Sequence, residues 1–442
     1  MIQVSLEQIL QAREDRVRLQ QQLLQDYNRP IICFTMNIAG PVKTSGLIKR
    51  GFDAGLQALD RTLAGAKVLE RQVYLADTGD TALFAVDMGK AELKEICVQI
   101  EEATPLGRLF DIDVLGADGI KLERQGQRGC IVCGKPGRAC AAGRLHSVEA
   151  LQDATNRILR EHFSAADRET IGNLAVQSLI DEVNITPKPG LVDRRNAGSH
   201  TDMDINTFLA SAHALKPYFA QCVEIGQSTA NEPPHITFNQ LRQAGLAAEK
   251  AMFAATGGVN THKGAIFTLG ILCGSIGRLW TPETPVVPIE ELLAQCARMG
   301  KCAEEDFATG ETDTAGKRLY RQRGLRGIRG EVADGLPSVS NIALPVLTEG
   351  LEKGLPSNDA AACALLQLIA QVEDSNLYHR GGEAGAAYAK QAAQELLKKS
   401  PWPTLAQIAI LDDSFIARRL SPGGCADLLA VTCFLHHLQS IK

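Results

Sequence analysis

A change of hydrophobic pattern near residue 165 of this 442-residue chain limits its fold more than any other feature. Before that point, short strand-like runs alternate with helical stretches. Pro30 precedes IICFTM, and QVYLAD, TALFAVDM, FDIDVLG and GIKLE follow, each bounded by Gly, Asp or Pro. GLIKRGFDAGLQALDRTL and KAELKEICVQIEEAT read as helices between them. Residues 1–27 place Val4, Leu6, Ile9, Leu10, Val17 and Leu23 at helical spacing. Beyond it the strands fade into Ala- and Leu-rich segments such as INTFLASAHALKPYFAQCVEIGQ, where Phe208, Ala212, Leu215 and Phe219 share one face. The pattern predicts an α+β domain over 1–165 and an all-helical domain over 168–442, divided near Ser164–Arg168. The segment WTPETPVVPIE (280–290) carries too much proline for a helix and predicts a loop.

Composition excludes some classes of function. With 45% hydrophobic and 22% charged residues the chain is globular rather than disordered. A net charge of -5 and a pI of about 6.0 argue against binding nucleic acid, which requires a basic excess. The polar N-terminus has no signal-peptide pattern. The longest apolar stretch, Ala265 to Gly277, is too short to span a bilayer, so no membrane role is expected and the cytoplasm is the expected compartment. Twelve cysteines in such a chain read as reduced thiols or metal ligands. P-loop, Rossmann and nucleophile-elbow motifs are absent.

Three features of the first half carry chemistry. In FDIDVLG, period two puts Asp111 and Asp113 on one face of a strand, where two carboxylates can hold Mg²⁺ against a polyphosphate. An exposed acidic strand face is the plain alternative. Upstream, Gly40 and Gly46 flank a turn beside Lys43, Lys49 and Arg50, groups suited to phosphate. Finally, Cys130 and Cys133 form a C-x-x-C, with Cys140 and His146 following closely. Three thiolates and an imidazole could close a tetrahedral Zn²⁺ site. A redox pair and a buried cysteine cluster are the competing readings. Arg138 and Arg144 of the same stretch could instead bind phosphate.

In the second half, five polar, glycine-rich blocks interrupt the helices. The first holds Glu182, Lys188, Asp193, Asn196, Ser199, His200, Asp202 and Asp204. The second, ATGGVNTHKGAIF, brings Asn260, Thr261, His262 and Lys263 to a helix start, a place suited to an anion. RGLRGIRGEVADG repeats glycine among Arg323, Arg326 and Arg329, whose forks match phosphate oxygens. The fourth holds Asp374, Asn376, His379 and Arg380. The last, SPGGCADLLA, opens a helix with Asp427. Each block alone could be a plain turn or cap. Five in one helical domain suggest a shared pocket for a phosphorylated ligand held partly through a metal ion.

At these residues the second half resembles the triphosphoribosyl-dephospho-coenzyme A synthase family, through TPKPGLVD (186–193), the block from Gly198 to Asp204, ATGGVNTHKGAIF, GIRGE (327–331) and SPGGCADLLA. The first half resembles holo-citrate lyase synthase, the apo-citrate lyase phosphoribosyl-dephospho-coenzyme A transferase, through RPIICFTMNIAGPVK, FDIDVLG and the cysteine block ending in Arg144 and His146. The chain therefore resembles a bifunctional fusion.

The resemblance implies that the second half joins ATP and dephospho-coenzyme A with release of adenine. It implies that a nucleotidyltransferase-like first half moves the product to a serine of the acyl carrier (gamma) subunit of citrate lyase, with loss of pyrophosphate. Fitted to that chemistry, Asp193, Asp202, Asp204, Asp374 and Asp427 are candidates for Mg²⁺ or for stabilising an oxocarbenium-like state, with His262 beside them. Lys188, Asn260, Thr261, Lys263, Arg326 and Arg329 are candidates for the triphosphate. In the first half, Asp111 and Asp113 would hold Mg²⁺, and Lys43, Lys49 and Arg50 phosphates. Two alternatives remain: a first half that only docks the carrier through a metal-bearing module, and malonate decarboxylase as the target.

Overall fold

A computed structural model describes residues 2–284, 287–309 and 315–440; Pro285 and Val286 of the expected proline-rich loop lie outside them. The first helix, α1 (Leu6–Tyr27), starts at Ser5, whose side chain accepts from the Gln8 N–H while the Gln8 side chain returns to the Ser5 N–H. It stops at Asn28, which adopts the left-handed conformation (φ 48°). There follow β1 (Ile31–Met36), α2 (Gly46–Thr62), β2 (Val68–Tyr74), β3 (Thr81–Val86), α3 (Lys90–Glu102), β4 (Phe110–Leu115) and the short α4 (Gly137–Ala142).

The four strands form one antiparallel sheet in the order β2-β3-β1-β4, the split βαββαβ arrangement. Its central strands are apolar on both faces because both faces are covered. Leu23 of α1 packs with Ile31, Cys33, Leu83 and Ala85 on one side. On the other, Phe34 stacks on Phe52 of α2, with centroids 5.0 Å apart, and meets Phe110 edge-on. Strand β4 is at the sheet edge, where Lys94 and Glu101 of α3 bond the carbonyl and amide of Ile112. The expected strand GIKLE is reduced to a single bridge, Leu115 to Lys121. A turn closed by the Gly116 N–H on the Ile120 carbonyl ends the ladder there.

The next helix, α5 (Val148–Asn184), is 37 residues long and runs without interruption through 164–168. The remaining helices are α6 (Ile205–Ala214), α7 (Lys216–Ser228), α8 (Pro234–Ala255), α9 (Lys263–Leu279), α10 (Ile289–Thr309), α11 (Ala315–Arg323), α12 (Gly327–Ala333), α13 (Leu344–Glu352), α14 (Ser357–Gln371), α15 (Ser375–Lys399), α16 (Leu405–Ala417) and α17 (Gly423–Gln439). The chain divides into two compact units. One is Met1–Ala166 with Thr281–Thr284, the other Asp167–Trp280 with Pro285–Lys442. Among the described residues the second unit has no β-strand.

Helix α9 is the axis of the second unit's core and is buried nearly all round, which explains its unbroken apolar sequence. It meets α7 backbone to backbone. A Cβ added at Gly226 would lie 2.1 Å from the Gly274 carbonyl, and one at Gly277 2.1 Å from that of Val223. Among the described residues no helix is long and apolar enough to cross a membrane.

Candidate active sites

In the first unit, β4 alternates as its sequence requires. Phe110, Ile112 and Val114 point into the core while Asp111 and Asp113 share the opposite face. Lys121 donates to Asp113 at 2.7 Å. Burial, reinforced by the charge of Asp113, pushes the Asp111 carboxyl above the usual range. Both acids line a cavity of about 950 Å³ whose other walls include Lys94, Arg108, Lys121, Arg124, Arg128 and Arg144. Glu101 ties part of this wall together, accepting from Arg124 at 2.9 Å and the Ile112 amide at 3.0 Å; burial pushes its carboxyl upward too.

The cysteine block reaches the same cavity through Cys130, Cys140 and His146. The ligand atoms of Cys130, Cys133, Cys140 and His146 all lie within 4.8 Å of one another. The Cys133 and Cys140 sulfurs are 3.5 Å apart, and His146 Nε2 is 3.3 Å from the Cys133 sulfur. Desolvation works upward on the Cys130 thiol, but amide and thiol donors outweigh it and hold the thiol below its usual value. The hydrogen bond with Cys133 pushes Cys140 up to about 11.

In the second unit, all five polar blocks, the first of them the turn after α5, converge on a cavity of about 790 Å³. Asp427, in the first turns of α17, faces Gly264 in the first turn of α9 so closely that an added Cβ would come 1.9 Å from its Oδ2. Burial, with the charges of Glu182 and Asp374, pushes the Asp427 carboxyl well above the usual range. Asp374 caps α15, accepting from the amides of Asn376 at 2.7 Å and Leu377 at 3.3 Å; it also accepts from Cys425 at 2.8 Å, and burial raises its carboxyl as well. Lys188 is 1% exposed and pairs with Glu182, whose carboxyl burial also raises.

His262 is 3% exposed, and burial with the nearby Lys188 charge takes its imidazole down to about 3, so it is neutral at physiological pH. Thr261 Oγ1 donates to Ser211 Oγ at 2.8 Å, and Ser211 Oγ lies 2.7 Å from His262 Nδ1. That relay assigns Nδ1 as acceptor and leaves the proton on Nε2, which is buried without a partner among the described residues. An orphan donor in a cavity wall is a group awaiting a ligand. His200 bridges Arg380 Nη2 and Ser421 Oγ at 2.9 Å each, and burial, with Arg380, lowers it to about 4.

Residues 168–442 match the family described as ATP:dephospho-CoA triphosphoribosyl transferase, and residues 4–162 the family described as apo-citrate lyase phosphoribosyl-dephospho-CoA transferase. A protein named CitXG from Haemophilus influenzae is 37% identical over 450 residues, 98% of this chain and 96% of the relative. The chain belongs to the CitXG family. A second CitXG, from Leuconostoc mesenteroides subsp. cremoris, is 31% identical over 98% of this chain and 97% of its own length. A probable 2-(5''-triphosphoribosyl)-3'-dephosphocoenzyme-A synthase of Vibrio cholerae is 44% identical over 277 residues, 61% of this chain and 88% of that protein. As a member of a family that joins both transferase types, the chain is a bifunctional transferase.

The structure of this CitXG family member gathers Lys188, Asp202, Asn260, Thr261, His262, Lys263, Arg326, Asp374 and Asp427 around one cavity, and Asp111, Asp113, Cys130, Cys140 and His146 around the other. Several expected residues are held elsewhere. Asp193 is folded into its own loop, accepting from the amides of Lys188, Arg195 and Asn196. Asp204 caps α6 in a capping box with Thr207. The Arg329 guanidinium lies over the Phe267 ring, 5.9 Å from its centroid, outside the cavity lining. The lining of the Asp111–Asp113 cavity contains none of Lys43, Lys49 and Arg50, the residues expected to bind phosphate there. Lys43 donates to the Ile38 carbonyl, Lys49 pairs with Asp53, and Arg50 donates to the Pro282 carbonyl at 2.7 Å. Arg108, just before β4, and Arg124 and Arg128, between β4 and C-x-x-C, stand in that wall instead, outside any sequence motif. Glu182 and Glu331 also line the second cavity.

Proposed function

We propose that the two cavities carry out consecutive steps in maturing the prosthetic group of citrate lyase, residues 168–442 making it and residues 1–165 attaching it. Both activities agree with the two family matches. The transferase match over residues 4–162 disfavours both a first unit that only docks and malonate decarboxylase as the target.

In the second cavity, a ribose oxygen of dephospho-CoA forms a C–O bond at the anomeric carbon of ATP as the C–N bond to adenine breaks. The hydroxyl loses its proton and the departing adenine gains one. Asp427 faces the developing oxocarbenium charge, and Asp374, fixed by three amides, orients the reacting groups. His262 Nε2–H, Lys263 and Arg326 receive the triphosphate oxygens. Asp202 lines the same cavity. The observation that carries this reading is the set of Glu182, Asp374 and Asp427, whose charges meet in one buried place with Lys188 as the paired base. Such an all-oxygen set with surplus negative charge fits a hard cation, and Mg²⁺ held by Asp374 and Asp427 would offset triphosphate charge.

In the first cavity, the carrier serine oxygen attacks the phosphorus nearest the ribose. A P–O bond forms in line with the one that breaks, the serine hydroxyl gives up its proton, pyrophosphate leaves and a phosphodiester remains. This is nucleotidyltransferase chemistry carried on a βαββαβ sheet. Asp111 and Asp113 fit Mg²⁺ by the same donor chemistry, and the arginine wall binds phosphates. Cys130, Cys133, Cys140 and His146 have the donor set and spacing of a Zn²⁺ site. None of the twelve cysteines is paired in a disulfide, which agrees with a cytoplasmic setting.

The test is mass spectrometry of apo acyl carrier subunit incubated with this protein, ATP, dephospho-CoA and Mg²⁺. Adenine release with a carrier mass gain of phosphoribosyl-dephospho-CoA is the expected result. Adenine release with an unmodified carrier overturns the role of the first cavity.

A further inference from the structure

The cysteine block is built as a turn that presents its sulfurs. Cys130 and Lys135 pair across the base of the turn, N to O 2.6 Å, and the Gly134 amide closes it on the Cys130 carbonyl at 2.9 Å. The Val132 amide points at the Cys130 sulfur at 3.4 Å. Gly134 has a φ of 72°, the left-handed conformation the reversal requires. The second ligand pair flanks the end of α4. There Arg144 itself adopts a left-handed conformation (φ 47°), and the Leu145 amide bonds the Cys140 carbonyl at 3.1 Å. That reversal brings His146 Nε2 back to the Cys133 sulfur. In a tetrahedral zinc site, sulfurs bound at about 2.3 Å stand about 3.8 Å apart. The Cys133–Cys140 separation of 3.5 Å matches this spacing.

Four protein ligands leave no open position, so such a site is structural rather than catalytic. Its position shows what it would support. The turn lies in the wall of the Asp111–Asp113 cavity, and Arg144 projects into the same lining, two residues before His146. Unlike Arg124, which is bound to Glu101, and Arg138, which pairs with Glu123, Arg144 has no ion-pair partner among the described residues.

We propose that Cys130, Cys133, Cys140 and His146 bind one Zn²⁺ as a closed structural centre that fixes this wall and presents Arg144 to the triphosphate of the incoming donor. The proposal rests on the transferase reading of the first unit. Binding releases the thiol protons and involves no redox change.

The experiment uses the full-length chain, purified without a metal-affinity step from zinc-supplemented cells. Elemental analysis is expected to find one zinc per chain, and Co²⁺ exchange the intense visible bands of tetrahedral thiolate coordination. Cys133→Ser and Cys140→Ser are expected to lose the metal and to lower carrier modification from preformed triphosphoribosyl-dephospho-CoA by about 100-fold, with adenine release unchanged. Arg144→Ala is expected to keep its zinc and raise KM for that donor about tenfold. This variant does not depend on the fold surviving ligand loss. A zinc-free chain with titratable or disulfide-linked thiols overturns the metal centre. Zinc-depleted protein that still transfers normally, or an unchanged KM in Arg144→Ala, overturns the coupling. A zinc-loaded wild type that leaves the carrier unmodified refutes the transferase reading instead, while zinc content still decides the centre.

Discussion

In the first unit both acids come from one strand, two residues apart, and Asp113 has Lys121 at 2.7 Å. In the second the acids come from three places far apart in sequence: Glu182 near the end of α5, Asp374 at the start of α15 and Asp427 in α17. There Asp427 is raised by burial and by its acidic neighbours. A local pair on a strand can be solvated on one side and balanced by a nearby lysine. A set assembled by the tertiary fold is enclosed by it, and the fold has to absorb the repulsion. The second cavity should therefore depend more on a cation and show more of its chemistry as a dependence on pH.

The sharpest way to break the comparison is to silence each cavity alone. Asp111→Asn with Asp113→Asn is expected to lower carrier modification by on the order of 10³-fold and leave adenine release intact, read by mass spectrometry and by adenine chromatography. Asp427→Asn is expected to do the reverse, lowering adenine release by a similar factor while preformed donor is still transferred. Loss of both activities in either variant would mean that the two cavities do not work separately.

Gly264→Ala tests the enclosure directly. The new methyl would press on the Asp427 carboxylate. Adenine release is expected to fall about 10- to 100-fold, with a stability loss of about 1–3 kcal/mol, both measurable on the purified variant. A fully active Gly264→Ala would show that Asp427 can move without consequence.

Stability against pH sharpens the contrast further. A carboxyl whose folded value is raised binds more protons folded than unfolded, so its contribution is complete below the unfolded value and is lost as pH rises through the folded one. Metal-free protein should therefore lose stability as pH climbs from about 4, through Asp427, Asp374 and Glu182 together. Asp427→Asn should melt higher than wild type without Mg²⁺ at neutral pH, by a margin that grows with pH. A margin that stays flat with pH would sink this account. The smallest effect belongs to Asp204→Ala, which removes the cap of α6. It should lower Tm slightly and leave adenine release unchanged.

Much of this was legible in the sequence wherever the signal was local. IICFTM, TALFAVDM and FDIDVLG are strands because their apolar and alternating runs are short-range facts. ATGGVNTHKG and SPGGCADLLA mark helix starts that do line a cavity. Other features depended on contacts that no local pattern encodes. Lys43, Lys49 and Arg50 sit near a turn in sequence, but each is tied to a neighbour on its own side of the fold. Arg108, Arg124 and Arg128 belong to no motif; Arg108 precedes β4, and only the packing of the chain after β4 brings Arg124 and Arg128 beside Asp111. Asp193 and Asp204 resemble the other acids in sequence; the difference is that nearby amides already occupy them. The stretch 164–168 looks like a junction because it is charged and small, and the two compact units do divide at Ala166 and Asp167, yet Ala165, Ala166 and Arg168 favour helix and α5 passes straight through.

The register of β4 has a consequence for how errors are handled when the chain is made. Thr35 stands opposite Asp111 and Cys33 opposite Asp113. A slip of one residue would turn both carboxylates into the aromatic layer around Phe34 and expel Phe110, Ile112 and Val114 into water. A molecule with a misplaced acid pair is thus also a molecule with a ruined core. Quality control that recognises exposed apolar surface would remove it before it could bind a triphosphate and hold it unproductively.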